Sequence, residues 1–471
     1  MLFPTFNFAI FFVVTFLIAW ALNRRHQAKL YFLIAASYVF YGFWNWRFCF
    51  LLFASSAANW AFGWLVHNSS DPRRRKQIVS AAVAGNLAVL ACFKYFDFFI
   101  DSLNGLAEAL HIGRDLPFLS IVLPIGISFF TFHGISYVVD LYRGKLSRPA
   151  TLPQMLLYIS FFPQLVAGPI VRASHFLPQL TAAPDPKDIR ATRAFLLILG
   201  GLFKKVVLAN YLATDLVDEI FFDPSRFGTL DLLLGTYGYA LQIYCDFSAY
   251  TDIAIGVAAL FGYRFPQNFD QPYRALGLRD FWRRWHISLS SWLRDYLYIS
   301  LGGNSGDWRR YRNLMLTMLL GGLWHGAAWT FVVWGGMHGA MLVIEHALFG
   351  ERKKTDEPAS FWLRAFGIFV TFHCVCLTWI FFRSPDFGHA VDFLGGFANI
   401  GVAPTMATPF ILTLIALGFA LQFLPKDRMD RAETWCLRIP LPLQAAALGA
   451  AIVAIDALGP EGVAPFIYFQ F

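Results

Sequence analysis

The chain has 471 residues, 57% of them hydrophobic and only 14% charged, with a formal net charge of +8. Soluble domains carry about 25% charged residues, so this composition excludes a soluble globular protein and points to an all-α polytopic membrane protein. The six cysteines, Cys49, Cys92, Cys245, Cys374, Cys376 and Cys436, fall mostly in apolar stretches without metal-site spacing and read as small core residues, so no disulfide framework is indicated.

Apolar runs long enough to cross a hydrocarbon layer, or nearly so, are read at 6–22, 30–46, 48–66, 78–100, 118–141, 194–212, 230–261, 314–348, 361–382, 409–424 and 441–458. About 11 transmembrane helices are expected, with re-entrant and interfacial helices where Gly and Pro interrupt the runs. The first run lacks a basic stretch before it and a small-residue cleavage site, so it reads as a retained helix.

Basic residues orient the spans. Arg24, Arg25 and Lys29 precede the second run, Arg73 to Lys76 hold four cations, and Arg143, Lys145 and Arg148 follow the fifth; these loops are expected in the cytoplasm. The 102–117 loop, with Glu108, Arg114 and Asp115, has no basic excess and fits the outer face. Runs 30–46 and 48–66 form a two-helix hairpin in this scheme, and the N-terminus lies outside. The only stretch with linker character, 173–190, joins bundle segments, so residues 1–471 read as a single domain.

Residues 264–312 carry nine arginines against four aspartates, together with Trp282, Trp285, Trp292, Tyr296, Tyr298 and Trp308. The segment reads as amphipathic helices at the cytoplasmic membrane surface. Positive-inside anchoring explains it as well as a basic funnel for an anionic cytosolic substrate does. Nucleic acid is not implied.

Polar side chains inside apolar runs are the candidates for chemistry, because a titratable group in lipid is expensive. Twelve residues lie between Arg312 and His325, roughly 18 Å at helical rise and close to the middle of a ~30 Å layer. Gly321 and Gly322 precede His325 and allow a backbone or a ligand to approach. His286, in WRRWHISLS, is the second candidate, with Arg283, Arg284, Trp285 and Trp324 as neighbours in sequence. Simple hydrogen-bonded packing accounts for either histidine equally well. QIYCDFSAYTD places Asp246, Ser248, Tyr250 and Asp252 in an apolar run, and its carboxylates need partners, either arginines of the basic segment or hydroxyls. His133, His338 and His373 read as buried structural residues. No HExxH, Walker loop or GxSxG is present.

FWRRWHISLSSWLRDYLYISLGGN followed by YRNLMLTMLLGGLWHGAAWTFVVWG resembles the signature of the membrane-bound O-acyltransferase (MBOAT) family, in the bacterial branch that includes alginate O-acetyltransferases and teichoic-acid D-alanyl transfer proteins. SYVFYGFWN, CFKYFDFF, PIGISFFTFHGISYVVDLYRG, FFPQLVAGPIVR and QIYCDFSAYTDIAIG extend the likeness over 37–339 in order. GGLWHG and LGGN lie closer to the alginate type. His133 in place of glutamine, His175 in place of an acidic or polar residue, and Ala328 in place of asparagine depart from the pattern.

The resemblance implies a bundle with a funnel to a central histidine, His325 as the intramembrane catalytic residue and His286 as its second functional histidine. Trp324, Trp285, Arg283, Arg284, Asp246, Ser248 and Tyr250 are the residues it suggests for substrate binding. It implies transfer of acetyl from cytosolic acetyl-CoA, with no bound cofactor and no metal, through a periplasmic partner to an exopolysaccharide such as alginate or cellulose, at the bacterial inner membrane. D-alanyl transfer from a carrier protein, a transporter for an acyl donor or saccharide, and a non-catalytic scaffold of an export complex are the other readings.

Overall fold

The computed structural model describes residues 1–113, 116–166, 168–304, 307–350, 360–460 and 466–467. Arg114 and Asp115 of the expected outer loop lie outside them. All regular structure among the described residues is helical. Six helices are long and apolar enough to cross a membrane, at 48–68, 72–109, 191–222, 229–260, 329–349 and 361–383, with shorter apolar helices at 6–21, 409–420 and 441–457. Large side chains such as Phe361, Trp362 and Phe366 are exposed on these surfaces, as expected where lipid replaces water. The chain is a multi-pass membrane protein that divides into two compact units.

The first unit comprises 1–191 and 257–266. Its helices begin where the sequence supplies caps: Thr5 accepts from the Phe8 N–H, Asp71 from the N–H groups of Arg73 and Arg74, and Thr151 forms a capping box with Gln154. His26–Asn45 and Phe48–Asn68 form the expected hairpin. Gly63 lies under the Tyr137 ring and Gly134 under the Asn59 amide, so the Phe48–Asn68 and Ile127–Tyr142 helices meet at reciprocal small residues. Asn59 and Asn86 pair through their amides inside this contact. Arg75 donates to the Tyr142 carbonyl, so the basic loops at 71–76 and 143–148 leave the same end of the unit.

Two boundaries differ from the sequence expectation. The helix beginning at Pro72 continues through a π-helical turn, Ala91–Tyr95, to Ala109, so helix occupies the first half of the expected 102–117 loop. The apolar run at 118–141 becomes helical only at Ile127. Pro117 and Pro124 disfavour helix in the residues before them, and Gly126 turns the chain at φ 78°, so residues 118–126 are irregular although apolar.

The second unit comprises 192–256 and 267–471. Its longest element is the part of the Thr229–Leu260 helix up to residue 256, and most residues of that helix are buried. The run 314–348, expected as one span, is two antiparallel helices, Asp307–His325 and Trp329–Phe349. The chain breaks at 326–328, where Ala328 is extended at φ −148° and Gly326 packs against the Phe331 ring with no room for a Cβ. A Cβ on Gly322 would meet the Phe331 carbonyl and one on Gly335 the Met318 carbonyl, so the two backbones touch. At the open end Arg310 donates to His346 Nε2 at 2.6 Å. His325 therefore sits at the apex of a helical hairpin, about 20 Å along its helix from Arg312.

Candidate active site

At the apex, His325 is 4% exposed and enclosed by aromatic rings. Its ring centre lies 5.1 Å from Trp324, 5.0 Å from Trp334 and 5.4 Å from Phe382. Trp334 follows His325 across the turn, and Phe382 comes from the Phe361–Arg383 helix. The close approach at Gly322 is by backbone, which resolves the choice between backbone and ligand left open by the glycine pair.

Trp324 also faces the second histidine, with ring centres 6.2 Å apart. The two histidines predicted from their motifs, 39 residues apart in sequence, thus both lie next to one indole. His286 joins two short helices, Leu278–Trp282 and Ile287–Trp292, and has left-handed dihedrals, φ 41° and ψ 55°. A non-glycine residue held there costs on the order of 1–3 kcal/mol and clusters at functional sites. Asn268 offsets that cost. Its carbonyl accepts from the Ile287 N–H at 2.9 Å, and its side-chain Oδ1 lies 3.0 Å from the Ser288 N–H, 2.8 Å from Ser288 Oγ and 3.2 Å from His286 Nδ1. Phe247 meets the His286 ring edge to face at 4.7 Å. Nε2 of His286 has no hydrogen-bond partner among the described residues.

His286 lies outside every candidate span, and burial pushes its imidazole down to about 3. Unfolded histidine titrates near pH 6.5, so above that value neither state holds the proton. As pH falls below it the unfolded state gains a proton that the folded site refuses, and stability declines by up to about 1.4 kcal/mol per unit until the folded value is reached. His286→Gln is expected to lose less stability than wild type between pH 7 and 5, read by thermal denaturation in detergent; equal losses would contradict a neutral buried His286.

The other predicted residues take different places. Trp285 is buried, 5.1 Å from both Phe269 and Trp379, and supports the His286 turn rather than anchoring at an interface. Arg284 pairs with Asp280 at 2.8 Å and Asp270 at 3.5 Å, whereas Arg283 is exposed. Arg279 is held by Glu345 and the Gly350 carbonyl. Trp292 and Tyr296 are buried too, and of the basic segment's tryptophans Trp308 is the exposed one.

The carboxylates of QIYCDFSAYTD are satisfied by lysines, contrary to the expectation of arginines or hydroxyls. Lys205 Nζ lies 2.8 Å from Asp246, and Lys204 Nζ lies 2.7 Å from Asp252 and 2.8 Å from Ser248 Oγ. Both lysines stand in a π-helical turn, Lys204–Ala209, whose wider pitch is common at functional positions. Asp246 also accepts from the Ile467 N–H, and Tyr250 packs on Phe466 at 4.3 Å. Phe247 therefore joins this cluster to His286, while Asp246, Ser248 and Tyr250 face the lysines.

Sequence reasoning missed Asn268, Lys204, Lys205, Trp334 and Phe382. A lone Asn among the aromatics of FPQNFDQPY, before a histidine in an irregular segment, was the available signal for Asn268. Among the departures, Ala328 caps the second hairpin helix, His175 Nε2 lies 2.9 Å from the Arg264 carbonyl, and buried His133 has no partner for either ring nitrogen among the described residues. His338 lies 3.0 Å from Thr378 Oγ1 and His373 2.7 Å from the Tyr237 hydroxyl. The six cysteines are free, and no metal-binding group of His, Cys, Asp or Glu exists among the described residues.

Comparison with known proteins places this geometry in a family. The model of the membrane-bound O-acyltransferase family matches residues 136–381, which include both histidines and the lysine cluster's helix pair. The chain is 40% identical over 393 residues to the probable alginate O-acetylase AlgI of Azotobacter vinelandii, covering 82% of this chain and 76% of that protein. It is 35% identical over 430 residues to the peptidoglycan O-acetyltransferase of Helicobacter pylori, covering 84% and 79%. To the teichoic acid D-alanyltransferase of Bacillus subtilis it is 29% identical over 306 residues, 59% of this chain and 76% of that protein. With two buried histidines next to one tryptophan, a helical membrane architecture and likeness over most of its length to O-acetyltransferases, the chain belongs to the membrane-bound O-acyltransferase family and is an acyltransferase.

Proposed function

We propose that this protein transfers an acetyl group from cytosolic acetyl-CoA across the bacterial inner membrane for O-acetylation of an exported polysaccharide, through a periplasmic partner that receives the group. The observation that carries the reading is the pairing of His325 and His286 about Trp324, one at the hairpin apex and the other on a strained turn. Likeness to alginate and peptidoglycan O-acetylating proteins supports acetyl and a polysaccharide.

In this reading the basic loops and the 264–312 segment face the cytoplasm, and a funnel from that side admits the donor. His325 takes the proton of the attacking hydroxyl as its oxygen bonds to the acetyl carbonyl carbon. The carbon–sulfur bond then breaks, and the proton ends on the coenzyme A thiol. The aromatic box around His325 excludes water that would otherwise hydrolyse the thioester.

Membranes containing the protein, its periplasmic partner and the polysaccharide are expected to incorporate label from radiolabelled acetyl-CoA without any cytosolic protein. Incorporation that requires a phosphopantetheine carrier protein would replace acetyl-CoA by the carrier-borne donor of the D-alanyl type.

A further inference from the structure

The geometry around Asn268 assigns the proton on His286. A backbone N–H can only donate, and the Ser288 N–H points at Asn268 Oδ1 from 3.0 Å. The atom facing it must therefore be the amide oxygen, whichever way the side chain might otherwise be drawn. His286 Nδ1 approaches that same oxygen at 3.2 Å. An acceptor is satisfied there only by a donor, so Nδ1 carries the hydrogen and Nε2 keeps a lone pair. Nε2 is buried and has no partner among the described residues, and leaving a buried acceptor unmatched is unfavourable.

We infer that Asn268 is a positioning residue that locks His286 as the Nδ1–H tautomer, so that Nε2 receives a hydrogen-bond donor of the bound substrates. His286 is then an acceptor of a hydroxyl or amide N–H and cannot donate to the oxyanion of the acyl-transfer intermediate. The donor group comes either from the acceptor hydroxyls or from the pantetheine amides of acetyl-CoA. This inference rests on the acetyl-transfer reading above for the identity of those substrates. The tautomer itself does not.

The test uses the full chain labelled with carbon-13 and nitrogen-15 histidine in lipid nanodiscs, with His286→Gln assigning the resonance by its disappearance. Wild type is expected to show Nδ1–H at His286, and Asn268→Ala the Nε2–H form. Nε2–H in wild type, or Nδ1–H unchanged in Asn268→Ala, overturns the assignment. In acetyl transfer, Asn268→Ala is expected to lose rate, with the rise in KM falling on the substrate that Nε2 holds, acetyl-CoA or the hydroxyl acceptor. Asn268→Asp keeps the acceptor and places a negative charge beside Nδ1, which favours protonated His286, so the acidic limb of its pH–rate profile moves to higher pH. An unmoved limb overturns the positioning role even if Asn268→Ala fails to fold. Absence of transfer from acetyl-CoA in wild type, with the Nδ1–H signal present and lost in Asn268→Ala, supports the tautomer assignment and rejects the donor proposed above.

Discussion

His325→Ala is expected to lower acetyl transfer by about 10²–10⁴-fold, the range supplied by a positioned general base. The side chain lies at the tip of the Asp307–His325 helix, where the backbone reverses, and the glycine contacts that hold the two helices together do not involve its imidazole. The variant should therefore insert and fold, and equal amounts of monodisperse protein after detergent extraction would establish that the loss is chemical. Label incorporation per mole of protein is the measurement. A rate within threefold of wild type would remove His325 from proton transfer and shift attention to His286, the other histidine beside Trp324.

Lys205→Met is expected to destabilise the protein by about 3–5 kcal/mol, the cost of leaving one member of a buried ion pair without its partner. Both side chains are almost fully buried, at 2% and 3% exposure. Asp246 keeps the Ile467 N–H as a donor, but one neutral hydrogen bond does not replace a cation in an apolar surrounding. Asp246→Asn in the same background removes the stranded charge, so the double variant should be more stable than Lys205→Met alone. A thermal denaturation series in detergent over the four proteins measures the coupling. Simple additivity of the two single losses would show that Lys205 and Asp246 act independently. A retained structure with lost transfer in the double variant would instead tie the cluster to the site through Phe247, which touches His286.

Much of the architecture was legible as local pattern. Runs of apolar residues marked the helices because a span must be apolar along its length, and caps such as Asp71 and Thr151 are written within three residues of the helices they start. The paired histidines were legible through their motifs. The break at 326–328 was not, since GLWHGAAW is as apolar as any span and Gly326 is tolerated inside helices. What the sequence did not show is that the Phe331 ring packs on Gly326 so closely that no Cβ fits there. Pro117, Pro124 and Gly126 were visible in sequence, but apolarity outweighed them in reading 118–141 as one span.

The charge assignments divide in the same way. The sequence showed that Asp246 and Asp252 needed partners, because two carboxylates in an apolar run are costly alone, yet it offered arginines of the basic segment or hydroxyls and passed over the lysines at 204 and 205. Chain path decides that choice: the π-helical turn brings both lysines to the Thr229–Leu260 helix, while Arg279 and Arg284 are taken by Glu345, Asp280 and Asp270. By itself the sequence determined a helical membrane protein, because periodicity and hydropathy are properties of one segment at a time, and the resemblance of its motifs to the membrane-bound O-acyltransferase family marked it as an acyltransferase with His325 and His286 as candidates. Only the tertiary structure decided that Trp324 lies next to both histidines, that His325 crowns a hairpin, and that Asn268 holds His286 in a left-handed turn. Those facts depend on which distant segments meet, and contact between segments is set by packing of the whole chain.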